Sequence, residues 1–121
     1  MKKENSSFSE NQKEMAECGL SFAVELLRGR WKINVLWGIH LGANRFGLLK
    51  RALPMISEKM LTQQLKSLEE DGLLIREDFK TVPPHVEYHL TEFGKKLAPT
   101  LQTLCNWGDE LRESKKTALE V

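Results

Sequence analysis

The sequence predicts a mainly α-helical domain that carries one small β-hairpin. Three observations lead there: apolar residues recur at three- and four-residue steps through residues 21–71, switch to alternation between Leu74 and Leu90, and return to helical spacing after Thr91. A chain of 121 residues has room for one such domain.

Residues 1–16 are rich in Lys, Glu, Asn, Ser and Gln, with Phe8 and Met15 isolated among them. So little apolar surface cannot offset the entropy of ordering, which predicts a flexible arm. From Ser21 to Arg28, Ala23, Val24, Leu26 and Leu27 suit a short buried helix that Gly29 ends. Trp31 opens a second helix over roughly residues 32–41, with Ile33, Leu36, Trp37 and Leu41 on its periodic face and Gly42 as its stop. Asn44 is the expected cap of a third, short helix presenting Phe46, Leu49 and Leu53 on one face, which Pro54 closes. Ser57 caps a fourth, Glu58 lies in its first turn where the helix dipole favours an acid, and Leu61, Leu65 and Leu68 form a buried stripe running to about Asp71. Gly72 supplies the left-handed stop. The third and fourth helices thus meet at a tight turn, Leu53 to Ile56.

Alternation after Gly72 predicts two strands around a Thr-Val-Pro-Pro turn. In the second strand Val86, Tyr88 and Leu90 face one side, and His85, Glu87 and His89 the other. Thr91 and Glu92 begin a last helical pattern of Phe93, Leu97, Leu101, Leu104 and Leu111, interrupted at Pro99 by a kink or a break into two helices. The tail, residues 114–121, is polar enough to fray. Four helices, a hairpin and a further helix describe a winged helix-turn-helix domain over residues 17–113, with a terminal helix free for another task.

Composition excludes several classes. Hydrophobic residues make up 40% and charged residues 29%, values that rule out fibrous and wholly disordered chains. Cys18 and Cys105 are too few for a disulfide framework or a four-cysteine zinc site, so a reducing cytoplasm is expected. The lysines near the N-terminus are not followed by the apolar stretch of a signal peptide, and no later run is long enough for a bilayer, so no membrane partner is expected.

Eighteen Lys and Arg against seventeen Asp and Glu leave a net charge of only +1, but the charge is unevenly placed. Between Arg28 and Lys66 eight basic residues stand against the single acid Glu58, a net +7, and the rest of the chain sums to −6. The positive part coincides with the helix-turn-helix, the layout expected of a partner that neutralises phosphates. On the helix starting at Ser57, the residues Lys59, Thr62, Gln63 and Lys66 follow at i, i+3, i+4 and i+7, opposite the leucines. Gln can bond adenine bidentately, Lys can reach guanine acceptors or phosphate, and the Thr methyl can touch thymine, so this face carries the chemistry of major-groove readout. Lys80 and His85 flank the hairpin turn, placed to meet phosphates or the minor groove.

These residues resemble the HxlR family of bacterial winged-helix transcription regulators over roughly Cys18 to Gly108. The similar pieces include Cys18 with Ala23-Val24, Gly29-Arg30-Trp31-Lys32, Arg45-Phe46, Leu53-Pro54 and Ile56-Ser57. They continue through Lys59-Met60-Leu61-Thr62-Gln63-Gln64-Leu65, Leu68-Glu69-Glu70-Asp71-Gly72-Leu73, Pro83-Pro84, Val86-Glu87-Tyr88, Leu90-Thr91 with Gly94, and Leu104-Cys105-Asn106-Trp107-Gly108. The resemblance implies a homodimer on a pseudo-palindromic operator of double-stranded DNA, most simply a repressor. The helix from Ser57 would read the DNA and the hairpin would serve as wing, with Arg45 and Lys50 joining the DNA-contacting set. The terminal helices would form the dimer interface, through Phe93, Leu97, Leu101, Leu104, Trp107 and Leu111.

Several members of the family respond to electrophiles or oxidants through a cysteine just before the first helix, and Cys18 occupies that place. The positive end of a helix favours the reactive thiolate. Cys105, amid Leu101, Leu104 and Trp107, reads as core or interface filler. The sequence departs from the family pattern at Gly19, Arg28, Met55 and His85, the last standing where a wing arginine is usual and giving a weaker phosphate anchor.

The competing readings are an enzyme and a winged helix turned protein-interaction module without DNA binding. The chain has no Gly-rich phosphate loop, no His-Glu-x-x-His and no Gly-x-Ser-x-Gly, so no catalytic residue, cofactor or metal is assigned. The triple His85, Glu87, His89 is explained by strand alternation, and a metal titration without effect on folding or DNA affinity would dispose of it as a site.

Overall fold

The computed structural model describes residues 11–14 and 18–120. Most of the predicted N-terminal arm lies outside the described residues; of that arm, residues 11–14 are helical. The rest is mainly α with one antiparallel hairpin, as the periodicities predict.

Helix α1 (Gly19–Leu27) starts two residues earlier than expected because Cys18 is its N-cap, Sγ accepting the Leu20 amide at 3.4 Å. It ends where Arg28 turns extended and Gly29 takes φ +116°. Helix α2 (Lys32–His40) follows, and Gly42 at φ +111° closes it. Its buried apolar residues are Val35, Leu36 and Ile39, whereas Ile33 and Trp37 are half-buried and Leu41 is exposed. The predicted face is therefore rotated, because this helix is apolar around most of its circumference and its periodicity does not select one side.

Helix α3 (Phe46–Ala52) is not capped by Asn44. Arg45 is the N-cap residue, extended and without a side-chain cap bond. Asn44 is drawn elsewhere: its carbonyl accepts the Tyr88 amide at 2.8 Å, tying the start of the helix-turn-helix to the hairpin. Helix α4 (Glu58–Glu70) follows the prediction closely. Ser57 Oγ accepts the Met60 amide at 3.1 Å, Leu61, Leu65 and Leu68 are buried, and Gly72 takes φ +79°.

Strands β1 (Leu74–Asp78) and β2 (Val86–Leu90) pair in the register Leu74↔Leu90, Arg76↔Tyr88 and Asp78↔Val86. Helix α5 (Glu92–Glu120) is one element rather than two. Pro99 lacks an amide to give to the preceding turn, yet Thr103 Oγ1 donates to the Pro99 carbonyl at 3.1 Å and the helix runs on. The predicted frayed tail is helical through Glu120. No Gly or Pro interrupts it, Thr117 bonds the Glu113 carbonyl, and Lys116 pairs with Glu113 one turn back.

The core joins Val35, Leu36 and Ile39 of α2 to Leu49, Ile56, the α4 leucines, Leu73, Leu74 and Leu101. Thr91 binds the last helix to the end of α4: its Oγ1 donates to the Gly72 carbonyl at 2.6 Å and its amide to that of Leu73 at 3.1 Å. The same Oγ1 accepts the Gly94 amide at 3.2 Å, so one residue caps α5 and clasps the exit of α4.

Candidate nucleic-acid interface

Because α4 is strongly amphipathic, burying its leucines leaves Lys59, Thr62, Gln63 and Lys66 together on the opposite, exposed face. Thr62 is exposed and donates its hydroxyl to the Glu58 carbonyl at 2.9 Å. The Gln63 amide stands exposed beside Lys59 and Lys66. Arg45 and Arg51 are exposed on or beside α3, and Lys50 reaches the Pro54 carbonyl at 3.2 Å across the turn. Ser57 serves the α4 cap through Oγ.

One member of the basic segment does not belong to this surface. Lys32 is 7% exposed, hydrogen-bonded to the Leu26 carbonyl at 2.7 Å and ion-paired with Asp71. Its charge is thus spent inside the fold, and Arg28 pairs with Glu25 at 3.5 Å on the surface. The positive field comes from α3, the turn and α4. Nothing in helical spacing identified Lys32; the signal was a lone cation in the first turn of an otherwise apolar helix.

At the wing, Lys80 has φ +53° and donates its amide to Asp78 Oδ1 at 2.9 Å, a local turn that leaves its side chain exposed. Val82, 99% exposed, marks the tip, and the Val82–Pro83 bond is cis. His85 is differently engaged. Its ring packs on Phe79 at 4.4 Å and its Nε2 lies 2.7 Å from Glu87 Oε2, so it shapes the hairpin rather than projecting from it. On the same face His89 Nε2 lies 3.1 Å from Glu77 Oε1 and 3.3 Å from Glu87 Oε1. Strand pairing set Glu77 directly against Glu87, and the imidazole lies between the two carboxylates.

A second surface lies away from α4. Leu20, Val24 and Leu27 of α1 and Leu97, Leu104 and Trp107 of α5 line an open apolar groove of about 790 Å³. Of the predicted interface set, Phe93, Leu104, Trp107 and Leu111 are exposed and Leu97 is half-buried. Leu101 is only 6% exposed and belongs mostly to the core of its own chain, because it sits where α5 crosses the domain. Cys18 is exposed as the N-cap of α1, one of the two helices that line this groove. Cys105 is exposed, its Sγ 3.9 Å from Asp109 Oδ2, so of the two readings core or interface filler the structure excludes the core one, because α5 has left the domain by that point. No helix among the described residues is long and apolar enough to cross a membrane.

A short helix, a tight turn, a capped second helix with an exposed Lys-Thr-Gln-Lys face and a flanking hairpin define a winged helix-turn-helix of the kind that regulates transcription. Residues 26–116 match the HxlR-like helix-turn-helix family, and the chain belongs to it. The transcriptional regulator YkvN of Bacillus subtilis is 46% identical over 91 residues, covering 75% of this chain and 77% of its own length. Among solved structures, the redox regulator HypR in its reduced form is similar with a TM-score of 0.71 at 36% identity, covering 83% of this chain and 99% of that one. The reduced transcriptional regulator YodB of B. subtilis gives 0.65 at 34% identity, covering 74% and 88%. All three of these relatives are regulators.

Proposed function

We propose that this chain is a homodimeric, sequence-specific repressor that binds a pseudo-palindromic operator in the cytoplasm. The observation that carries the reading is the exposed Lys59, Thr62, Gln63 and Lys66 face on a helix whose other side is locked into the core. α4 enters the major groove, with Gln63 and Thr62 reading base edges and Lys59 and Lys66 reaching guanine or phosphate. Arg45, Lys50 and Ser57 hold the neighbouring backbone, and Lys80 on the wing meets phosphate, while His85 braces that hairpin.

The apolar groove between α1 and α5 supports a second copy as its occupant. About 43 Å of helix, with Leu104, Trp107 and Leu111 exposed past the last core contact, is more apolar surface than a small monomer leaves wet. A two-fold dimer sets two reading helices about 34 to 36 Å apart, one DNA turn, or a multiple of it. HypR is a redox regulator, and that likeness supports an oxidant or electrophile as the signal, received at Cys18. A disulfide or adduct there replaces the thiol hydrogen with a bulkier group, redirects the sulfur that accepts the Leu20 amide and alters the dimer face.

The test is to select bound duplexes from genomic fragments, then to add diamide or an aldehyde to the complex. A palindromic consensus bound with a steep inverse salt dependence and released by thiol reagents is the expected result. Absence of salt-dependent binding to any duplex refutes the DNA-binding reading and favours a protein-interaction module.

A further inference from the structure

Lys32 stands at the first position of α2, where the helix dipole disfavours a cation, and no acid accompanies it in that turn. It is nevertheless the buried charged residue among the described ones, 7% exposed. Its ammonium faces two other helix ends. Nζ donates to the Leu26 carbonyl, in the last turn of α1, at 2.7 Å, and pairs with the carboxylate of Asp71, the C-cap of α4. Neither α1 nor α4 has a basic residue in its own last turn. Lys32 thus supplies to both negative helix ends the cation that each lacks. Asp71 Oδ2 is buried and makes no hydrogen bond, so this ammonium is its compensation.

A buried ion pair adds little net stability over apolar residues of similar size, so stability alone does not account for it. What it does add is geometry: one point charge fixes the exit of α1 against the exit of α4. α1 lines the apolar groove, and α4 carries the exposed polar face. We propose that Lys32 is a positioning residue that transmits the placement of the dimer face to the reading helix, and so sets the spacing of half-sites the dimer accepts. This inference rests on the dimeric DNA-binding reading above.

The experiment uses the full chain and three duplexes: the selected operator, the same operator with two base pairs inserted between half-sites, and a single half-site. Lys32→Met/Asp71→Asn removes both charges together and avoids stranding one of them. The wild type is expected to prefer the native spacing by about 30-fold or more, the double variant by less than about fivefold, with half-site affinity kept within about twofold. Asp71→Glu keeps both charges and changes only the reach of the α4 arm by one methylene; it is the second variant should the double one fail to fold, and is expected to relax the spacing preference in the same direction.

A variant that melts like the wild type and keeps the wild-type preference overturns the proposal. So does an equal loss on all three duplexes, which marks a merely structural role. A wild type that binds no duplex refutes the DNA-binding reading itself and this inference with it, a result distinct from the other two.

Discussion

Gly94→Ala tests whether the end of α4 and the start of α5 form a single rigid corner. A Cβ at Gly94 would stand 2.5 Å from the Leu73 carbonyl oxygen, 3.3 Å from Leu90 Cβ and 3.4 Å from Leu90 Cδ2. Ordinary contact requires the methyl and that oxygen to separate by most of an ångström. The oxygen is backbone and is held by the Thr91 amide at 3.1 Å, and Leu90 crowds the methyl as well. No side-chain rotation relieves the clash, so the corner must open. Overpacking of this kind costs about 1 to 3 kcal/mol, offset in part by the roughly 1 kcal/mol that Ala gains over Gly in a helix.

Those figures leave a net loss of about 0 to 2 kcal/mol, and because the atom that must move is backbone we expect the upper half, about 1 to 2 kcal/mol, read as a lower urea midpoint with unchanged slope at fixed protein concentration. The control is Gly47→Ala within α3, where an added Cβ meets nothing within 4 Å. It should be neutral or stabilise by up to about 1 kcal/mol. A Gly94→Ala protein as stable as the wild type would show that the corner yields freely and would refute the clasp around Thr91.

Gln63→Ala should cost about 1 to 3 kcal/mol on the selected operator and blur its preference at one base pair; equal losses on random DNA would exclude base readout by this residue. Lys80→Ala should weaken all sequences alike and flatten the salt slope by about one unit, measured by titrating bound duplex at several salt concentrations, and an unchanged slope removes it from the footprint. Cys18→Ser should keep DNA affinity and lose release by diamide, quinones or aldehydes; a variant still released clears Cys18 of the sensing role. Leu104→Asp, which places a charge in the apolar groove, should shift the sedimenting species to monomer and lower operator affinity far more than half-site affinity.

Much of this molecule is legible in the order of its residues because the determining interactions span one helical turn. Ser57 and Gly72 bound α4 through contacts with their immediate neighbours, and the i, i+4 leucines leave Lys59, Thr62, Gln63 and Lys66 no other side to occupy. Strand alternation likewise placed His85, Glu87 and His89 on one face. Where local signals were balanced, neighbours decided. α2 offers apolar residues all round, and only the positions of α4 and the hairpin select Val35, Leu36 and Ile39 for burial. Asn44 is a good cap by composition, yet β2 takes its carbonyl. The tail beyond Ser114 stays helical on its own short-range bonds, which composition alone undervalued.

Sequence by itself determined the element types, the exposed polar face of α4 and the cysteine at the head of the first helix, since each depends on residues within about one turn of one another. Tertiary structure alone decided that Lys32 leaves the cationic surface for Asp71, 39 positions away, and that Glu77 meets His89 across the hairpin. It also decided that Leu101 turns inward while Leu104 and Trp107 stay exposed. A charge or a leucine acquires such a role from the solvent it loses and the partner it meets, and both are fixed only when distant elements pack.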